Sequence, residues 1–386
     1  MPRFRLSEHE TLLVVLTLLI KALLLLGGAI AYLWFQRQVG GPLGVWNRWD
    51  APHYLDLAVF GYRATDAGDL FGPNGYRSVY PGDLPLYIVF YPLFPWLITG
   101  VNAVLDDPLV SAFVVSGVAS LFVAPLMYRL VRQDEEPDVA MRAAWFLLIF
   151  PTAYFLHIGY TESLFLALVL GSFLAARTRH WVLAGLLGGL AALTRINGLV
   201  LLLALPAEAV TQWYEDPRVE RRLRPEWLGI GLVAVGFGGY LLLNQAVYGD
   251  PLTFLQVQRE HWFKQLAPPW EGIASAAGWL GDEKLENALL YGVTELTAVA
   301  IGLAGTVYAA FRFRPSWFAW MAGNWLLFTS TAFLLSVPRY TLTLFPIMVG
   351  MALLARDRWV LVALSLLSLA GFVYFAARFA LGGWAF

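Results

Sequence analysis

Cysteine is absent from the 386 residues, and charged residues are scarce. Without a thiol, the chain has no disulfide, no thiolate metal site and no cysteine nucleophile. Aspartate, glutamate, lysine and arginine make up 14% of the sequence, whereas a soluble domain carries about 25%. The net charge is -1, so no basic surface points to nucleic acid. Hydrophobic residues account for 59% of the chain, which therefore needs a lipid environment.

Signatures of nucleotide and metal binding are also missing. Neither a Gly-x-x-x-x-Gly-Lys phosphate loop nor a Gly-x-Gly-x-x-Gly fingerprint occurs, which argues against direct use of a nucleotide sugar. The five histidines are scattered, and none has the spacing of a zinc protease. We therefore expect no required metal, although Asp50 with Asp56 or Asp83 is a candidate oxygen-ligand set for a divalent cation.

Long apolar runs predict an all-α polytopic membrane protein. A bilayer-spanning helix takes roughly 20 apolar residues. The first run is too long for the core of a signal peptide and lacks a small-residue cleavage site, so we expect a retained first helix. The charged patches divide the chain into about eleven transmembrane helices. The predicted spans are residues 11–35, 108–131, 143–157, 162–177, 180–194, 196–211, 228–248, 288–311, 316–336, 340–355 and 359–379.

Short basic patches, such as "YRLVRQDEEPDVAMR" and "FRFRPS", predict the orientation. Basic residues in short loops prefer the cytoplasmic side. If the segment from Leu86 to Leu105 crosses the membrane, the basic patch after Tyr128 falls outside. If the segment is interfacial or re-entrant, every basic patch falls inside. Its two prolines and its aromatic cluster favour an interfacial helix.

Two loops on the opposite side stand out by length, at residues 36–107 and 248–287. Loops longer than about 15 residues in a compact protein are usually functional. No internal repeat or soluble domain is evident, so residues 1–386 are predicted to form one membrane-embedded unit.

The first long loop contains a cluster of ionisable residues in "VWNRWDAPHYLDLAVFGY", from Val45 to Tyr62. Asp50, His53, Tyr54 and Leu57 recur at helical spacing and share one face. An aspartate here either caps the helix or acts as a general base at the membrane surface. The spacing leaves both roles open.

Two arginines lie within apolar surroundings. Arg339 occurs in "SVPRYTL", where Pro338 interrupts a span, and Arg195 occurs in "LTRING". An arginine at membrane depth normally faces a cavity or a partner; the alternative is a side chain that snorkels to the interface. Facing a cavity, either guanidinium would suit phosphate oxygens.

Several motifs resemble one family in the order in which that family has them. "NRWDAPHYLDLAVFGY" resembles the first-loop signature of the PIG-V mannosyltransferases, which belong to the GT-C superfamily of polytopic glycosyltransferases. "YPLFPWL", "GYTESLFLAL" and "ALTRINGLVL" are similar to later motifs of the family, and "FLQVQREHWF" is similar to a late-loop element in which His261 replaces an expected tyrosine.

The resemblance implies a GT-C-like fold and an inverting sugar transfer outside the cytoplasm. The donor would be a polyprenyl-phosphate sugar, such as dolichyl phosphate mannose, and the acceptor a lipid-linked or glycan hydroxyl. It implies that Asp50 is the base. Together with the topology, it makes Arg339, Arg195 and His53 candidates for the donor phosphate. The candidates for substrate binding are Trp49, Tyr54, Glu162, Gln258, His261 and Trp262.

A lipid or sugar flippase, or a transporter, is the alternative from another class. Transporters also place ionisable residues near their spans, but they usually show inverted repeats and broken helices at the bilayer midplane. The acidic cluster of this chain lies in a loop, which favours the enzyme. We expect a prokaryotic plasma membrane with the site facing outside, or the endoplasmic reticulum lumen if the chain is eukaryotic.

Overall fold

The computed structural model describes residues 6–35, 41–62, 76–78, 86–217 and 222–386, and Asp83 lies outside them. These residues are almost entirely helical. The helices are α1 (Glu8–Trp34), α2 (Asp50–Phe60), α3 (Leu93–Leu105), α4 (Pro108–Val131), α5 (Pro137–Ile149), α6 (Glu162–Arg177), α7 (Trp181–Ala192), α8 (Leu201–Glu215), α9 (Leu232–Tyr248), α10 (Thr253–Glu260), α11 (Pro269–Gly278), α12 (Leu285–Asn287), α13 (Glu295–Arg312), α14 (Pro315–Thr329), α15 (Val337–Thr341), α16 (Pro346–Leu354) and α17 (Arg358–Ala380).

Six helical stretches among the described residues are long and apolar enough to cross a bilayer. They are Glu8–Trp34, Pro108–Val131, Ile196–Glu215, Pro225–Tyr248, Leu285–Arg312 and Arg358–Ala380. Shorter apolar helices, including α3 and α7, lie among them. The predicted all-α polytopic membrane protein is confirmed, whereas the predicted number of about eleven spans stays a prediction.

Some predicted spans are interrupted. Span 143–157 is divided, because α5 ends at Ile149, Pro151 follows, and a short 3₁₀ helix occupies Ala153–Leu156. Span 340–355 is divided between α15 and α16, and Pro346 begins the second of them. Proline lacks the N–H that would continue a helix, so both breaks have a local cause.

Helices α1 and α4 are antiparallel. Glu10 at the start of α1 forms an ion pair with Arg129 near the end of α4, and the rings of His9 and Tyr128 stack 5.5 Å apart beside it. The end of α1 and the start of α4 therefore lie together at the opposite end. The interfacial interpretation of Leu86–Leu105 stays a prediction.

The end of the bundle that contains Glu10 is held by ion pairs between helix ends and the loops beside them, and we call it the ionic end. Its pairs are Asp134–Arg177 at 2.5 Å, Glu135–Arg312 at 2.7 Å, Asp216–Arg179 at 2.7 Å and Glu208–Arg314 at 2.9 Å. Helix α6 leads away from this end over 16 residues, a rise of about 24 Å. Its first residue, Glu162, therefore lies at the far end of the bundle.

Helices α7 and α9 touch through their backbones. A methyl group added at Gly236 of α9 would lie 2.2 Å from the carbonyl oxygen of Gly189, and one added at Gly189 would lie 2.6 Å from the carbonyl oxygen of Leu232. Small residues allow this approach between membrane helices, whose association depends on close packing. Only glycine fits at this crossing.

Gly236→Ala should therefore destabilise the protein by about 1–3 kcal/mol through overpacking. The matched control is Gly238→Ala in the same helix, where an added methyl group meets nothing within 4 Å and where alanine suits a helix better. Both variants can be compared by their unfolding midpoints in mixed detergent micelles. Equal midpoints would contradict the close contact.

Candidate active site

Asp50 is the first residue of α2, and an irregular stretch of backbone presents it. The preceding residue, Trp49, has a φ of 55°, a left-handed conformation that costs a non-glycine residue about 1–3 kcal/mol. Two contacts hold this stretch. The Tyr160 hydroxyl donates to the carbonyl oxygen of Arg48 at 2.6 Å, and the Trp49 ring packs edge-on against Trp384 at 4.8 Å.

The Asp50 side chain does not cap its helix. The structure gives α2 no side-chain cap. Instead, the Asp50 Oδ2 accepts a hydrogen bond from Arg339 Nη1 at 2.5 Å. The carboxylate is 29% exposed, whereas the Arg339 side chain is only 6% exposed. Asp50 is thus a partly exposed carboxylate that is ion-paired with a buried guanidinium.

Arg339 lies in the short helix α15 and joins two acids. Its Nε donates to Oε1 of Glu162, which is completely buried. The guanidinium also lies over the rings of Phe155 and Tyr160, at 4.7 and 4.8 Å. A cation over an aromatic face is attracted by the ring quadrupole, so both rings help to hold the buried charge.

Arg195 completes the cluster. It follows α7, and its Nη1 donates both to the Thr161 hydroxyl at 3.0 Å and to Oε1 of Glu162. Its guanidinium lies 5.5 Å from the Tyr340 ring. We call Asp50, Glu162, Arg195 and Arg339 the charge cluster. It contains two carboxylates and two guanidinium groups, so its net charge is zero.

The pKa of Asp50 reflects two opposing effects. Burial would raise the pKa of this carboxyl, but Arg339, with smaller contributions from His53 and Arg195, holds the pKa below its ordinary value of 3.8. The group is therefore ionised at neutral pH. The stability that it contributes is complete above its unfolded pKa and is lost only as the pH falls through the lowered folded value.

His53 and Trp262 are brought together, although 209 positions separate them in the sequence. The His53 ring lies 4.3 Å from Tyr87, 4.9 Å from Phe90 and 5.7 Å from Trp262. The second long loop therefore packs against the helix that carries Asp50. Tyr54, the next residue, also packs against Phe90, at 5.2 Å, and burial together with the Asp50 charge raises the Tyr54 pKa well above 10.0.

The other predicted residues of the second loop lie apart from the cluster. Gln258 is half-buried and His261 is exposed. In the part of the chain that the structure describes, neither side chain is hydrogen-bonded to the charge cluster. Their predicted contact with the acceptor stays a prediction.

Asp56 has a structural environment. It is completely buried, and it accepts hydrogen bonds from the Tyr76 hydroxyl and the Ser78 hydroxyl, both at 2.7 Å. Its two oxygens therefore hold residues 76 and 78 of the first long loop. Among the described residues, no group of three histidines or acids could hold a metal.

Glu295 was not singled out from the sequence. It is completely buried at the start of α13, and its two oxygens accept from the backbone N–H groups of Ser336 and Val337 at 2.7 and 2.9 Å. A lone acid at the edge of an apolar run, as in "VTELTAVAIGLAG", is a signal that could have found it.

Comparison with known proteins shows the fold. The crystal structure of ArnT from Cupriavidus metallidurans bound to undecaprenyl phosphate matches with a TM-score of 0.50 and 16% identity, and the match covers 94% of this chain and 76% of ArnT. The Archaeoglobus fulgidus oligosaccharyltransferase in its apo form matches with a TM-score of 0.47 and 13% identity, and this chain spans 56% of its length. The likeness to ArnT confirms the expected GT-C-like fold.

The match by sequence covers less of the chain than the match by structure. A family model for dolichyl-phosphate-mannose-protein mannosyltransferases matches residues 85–233, which is less than half of the chain. No curated protein sequence matches the chain.

Glu162→Gln should destabilise the protein strongly, because it leaves two mostly buried guanidinium groups with one acid between them. Removal of one partner from a buried ion pair costs about 3–5 kcal/mol. The control Glu260→Gln changes an acid that is 45% exposed, and surface substitutions stay within about 0.5 kcal/mol. Thermal unfolding in detergent measures both. A Glu162→Gln protein as stable as its control would contradict the cluster.

Proposed function

We propose that this protein is an inverting membrane glycosyltransferase that moves a sugar from a polyprenyl-phosphate donor to an acceptor hydroxyl. The observation that carries the proposal is the accessible Asp50 carboxylate on the buried Arg339, at the far end of the bundle from the ionic end. The fold supports it, because the matching ArnT structure is bound to undecaprenyl phosphate. The site thus combines a carboxylate that can accept the proton of a hydroxyl with arginines that can bind a phosphate.

Asp50 serves as the general base in this proposal. The acceptor oxygen attacks the anomeric carbon, its proton passes to the Asp50 carboxylate, and the bond from that carbon to the phosphate oxygen breaks with its electron pair on the phosphate. A base must come within hydrogen-bond reach of the proton that it takes. Only Asp50 in the charge cluster combines a carboxylate with substantial exposure.

Arg339 and Arg195 serve the leaving phosphate. Glu162 anchors both guanidinium groups through single nitrogens. Among the described residues, the Nη2 atoms of both arginines have no hydrogen-bond partner, so each retains donors for an incoming oxygen. Donors fixed before the reaction stabilise charge that develops in the transition state. The cluster is neutral without substrate, so a bound phosphate adds charge that these donors must meet.

Donor binding would also activate the base. A phosphate near Arg339 competes with Asp50 for that guanidinium, which now holds the carboxyl pKa low. Because the negative phosphate offsets the Arg339 charge, the pKa of Asp50 rises toward the operating pH, where a general base is most effective. The proposal therefore predicts that the donor binds before the acceptor.

Mannose is the proposed sugar, with a PIG-V-like activity on a lipid-linked or glycan acceptor. The motifs of the first loop and the family model over residues 85–233 support this choice. In this scheme His53 lies beside the donor phosphate, while Trp49, Tyr54, Gln258, His261 and Trp262 line the substrate. No metal is required, because two arginines already face the phosphate.

The proposed orientation places the ionic end in the cytoplasm, since short basic loops prefer that side. The absence of native cysteine makes single-cysteine labelling clean. On intact cells, a membrane-impermeant maleimide should label Leu252→Cys, at the start of the second long loop, but not His180→Cys, between α6 and α7. Permeabilisation should expose the latter. Labelling of His180→Cys on intact cells would reverse the orientation and remove the proposed site from the outside.

Asp50→Asn should lower transfer far more than it lowers the amount of folded protein, because the amide cannot take the proton, whereas Arg339 keeps Glu162 as an acidic partner. We expect a fall of about 10²–10⁴ in kcat, the usual contribution of a general base. The assay uses reconstituted protein with radiolabelled polyprenyl-phosphate sugars and a panel of acceptors.

The matched control for that experiment is Asp107→Asn, which changes the acid that caps α4 through Val110 N–H at 2.9 Å. This residue lies at the same end of the bundle and should leave transfer intact. Full transfer by a folded Asp50→Asn protein would remove the proposed base.

A further inference from the structure

The chain before Arg339 is irregular and needs external support. Helix α14 ends at Thr329, and α15 begins at Val337. Ser336 has a φ of 70°, a left-handed conformation that persists in a non-glycine residue only when its surroundings hold it. Arg339 follows three residues later. The orientation of its guanidinium therefore depends on what fixes residues 330–336.

Glu295 holds this segment from inside the bundle. Its Oε1 accepts from Ser336 N–H at 2.7 Å, and its Oε2 accepts from Val337 N–H at 2.9 Å. Charge-assisted hydrogen bonds of this kind are stronger than neutral ones. Among the described residues, Glu295 shares no hydrogen bond with Asp50, Glu162 or Arg339, and its hydrogen bonds reach the Arg339 segment through the backbone.

The second long loop holds the same segment from outside. Leu266 pairs with Thr331 in an antiparallel bridge. Ala332 N–H donates to the Gln265 carbonyl at 3.0 Å, and Ala267 N–H donates to the Ser330 carbonyl at 3.4 Å.

A side-chain contact and a close backbone approach extend this contact. Lys264 Nζ lies 4.8 Å from the Phe333 ring, and its charge interacts with that of Glu295. A methyl group added at Gly272 would lie 2.5 Å from the Thr331 carbonyl oxygen, so the loop backbone lies directly on the segment.

The same loop also reaches the helix of the proposed base. Trp262 packs against His53 and Phe90, and His53 lies one turn after Asp50. Residues 262–272 therefore contact both structures that meet in the Asp50–Arg339 hydrogen bond. A shift of this loop would move both α2 and the segment before Arg339.

We infer that Glu295 is a positioning residue that, with loop residues 264–267, clamps the turn before Arg339 and so sets the orientation of that guanidinium toward Asp50 and the substrate phosphate. The inference rests on the proposed function for its effect on catalysis. The clamp itself is a property of the folded chain and can be measured without substrate.

Hydrogen exchange tests the clamp directly. Glu295→Gln loses the charge, and its amide nitrogen cannot accept a hydrogen bond. Exchange in peptides that cover residues 330–341 should rise by about tenfold or more, since the two amides lose a charged acceptor. The matched control is Glu208→Gln, an equally buried acid at the ionic end that binds Arg314 and Ser316.

That control should leave exchange at residues 330–341 unchanged. Unchanged exchange in Glu295→Gln, or an equal rise in both variants, would overturn the clamp. The result is independent of transfer activity. If wild-type protein transfers no sugar, the proposed function fails while the exchange data still decide the clamp.

Kinetics then test positioning. Glu295→Gln should lower kcat by about tenfold or more with a smaller change in the acceptor KM, because the lost interaction acts on transition-state geometry. Glu295→Asp, which keeps two acceptor oxygens, should recover part of the loss. The positioning role would be overturned if Glu295→Gln and Glu295→Asp lost equal activity and if that loss matched the loss of folded protein.

A disulfide between the loop and the segment before Arg339 should restore the activity lost in Glu295→Gln. The hydrogen bonds on either side make Leu266 and Thr331 a non-hydrogen-bonded antiparallel pair, whose Cα atoms lie about 4.5 Å apart, within the range for a disulfide. In the Glu295→Gln background, oxidised Leu266→Cys/Thr331→Cys should restore kcat several-fold, and reduction should remove the gain. A cross-link that forms fully and restores nothing would contradict the clamp.

Discussion

The structure depends on the contact that Arg339 makes with Asp50 and Glu162. A guanidinium with 6% exposure is tolerated in a membrane protein only when acids and aromatic faces compensate its charge. Arg339 joins Asp50 and Glu162, which lie 289 and 177 positions away in the sequence. The first loop, the start of α6 and the break before α15 must therefore converge for the fold to be stable.

The same contact separates structure from chemistry within one cluster. Glu162 is fully buried and anchors both arginines, whereas Asp50 retains 29% exposure. The exposure of Asp50 suits the base that we propose, and the burial of Glu162 provides the dry environment in which its ion pairs are strong. Helix α6 connects this region to the ionic end, where Arg177 pairs with Asp134. Helix α6 thus carries an ion-paired residue at each of its ends.

Much of this could be predicted from local patterns. Helix α2 follows from the spacing of Asp50, His53 and Leu57, and most helix bounds follow from apolar runs between charged patches. Proline accounts for the breaks at Pro151 and Pro346. Other features could not be predicted. No local signal tells that Glu162 binds both arginines, or that Glu295 accepts the amides before Arg339, because these partners depend on how distant helices pack.

The sequence by itself determined the membrane environment, the helices and the presence of costly ionisable groups in apolar surroundings, because hydropathy and spacing act over a few residues. Only the tertiary structure decided which of those groups meet. Charge compensation in a low dielectric acts between side chains a few ångströms apart, whatever their separation along the chain. The sequence therefore left Asp50 as either a helix cap or a base, and the structure shows that its side chain binds Arg339 and does not cap α2.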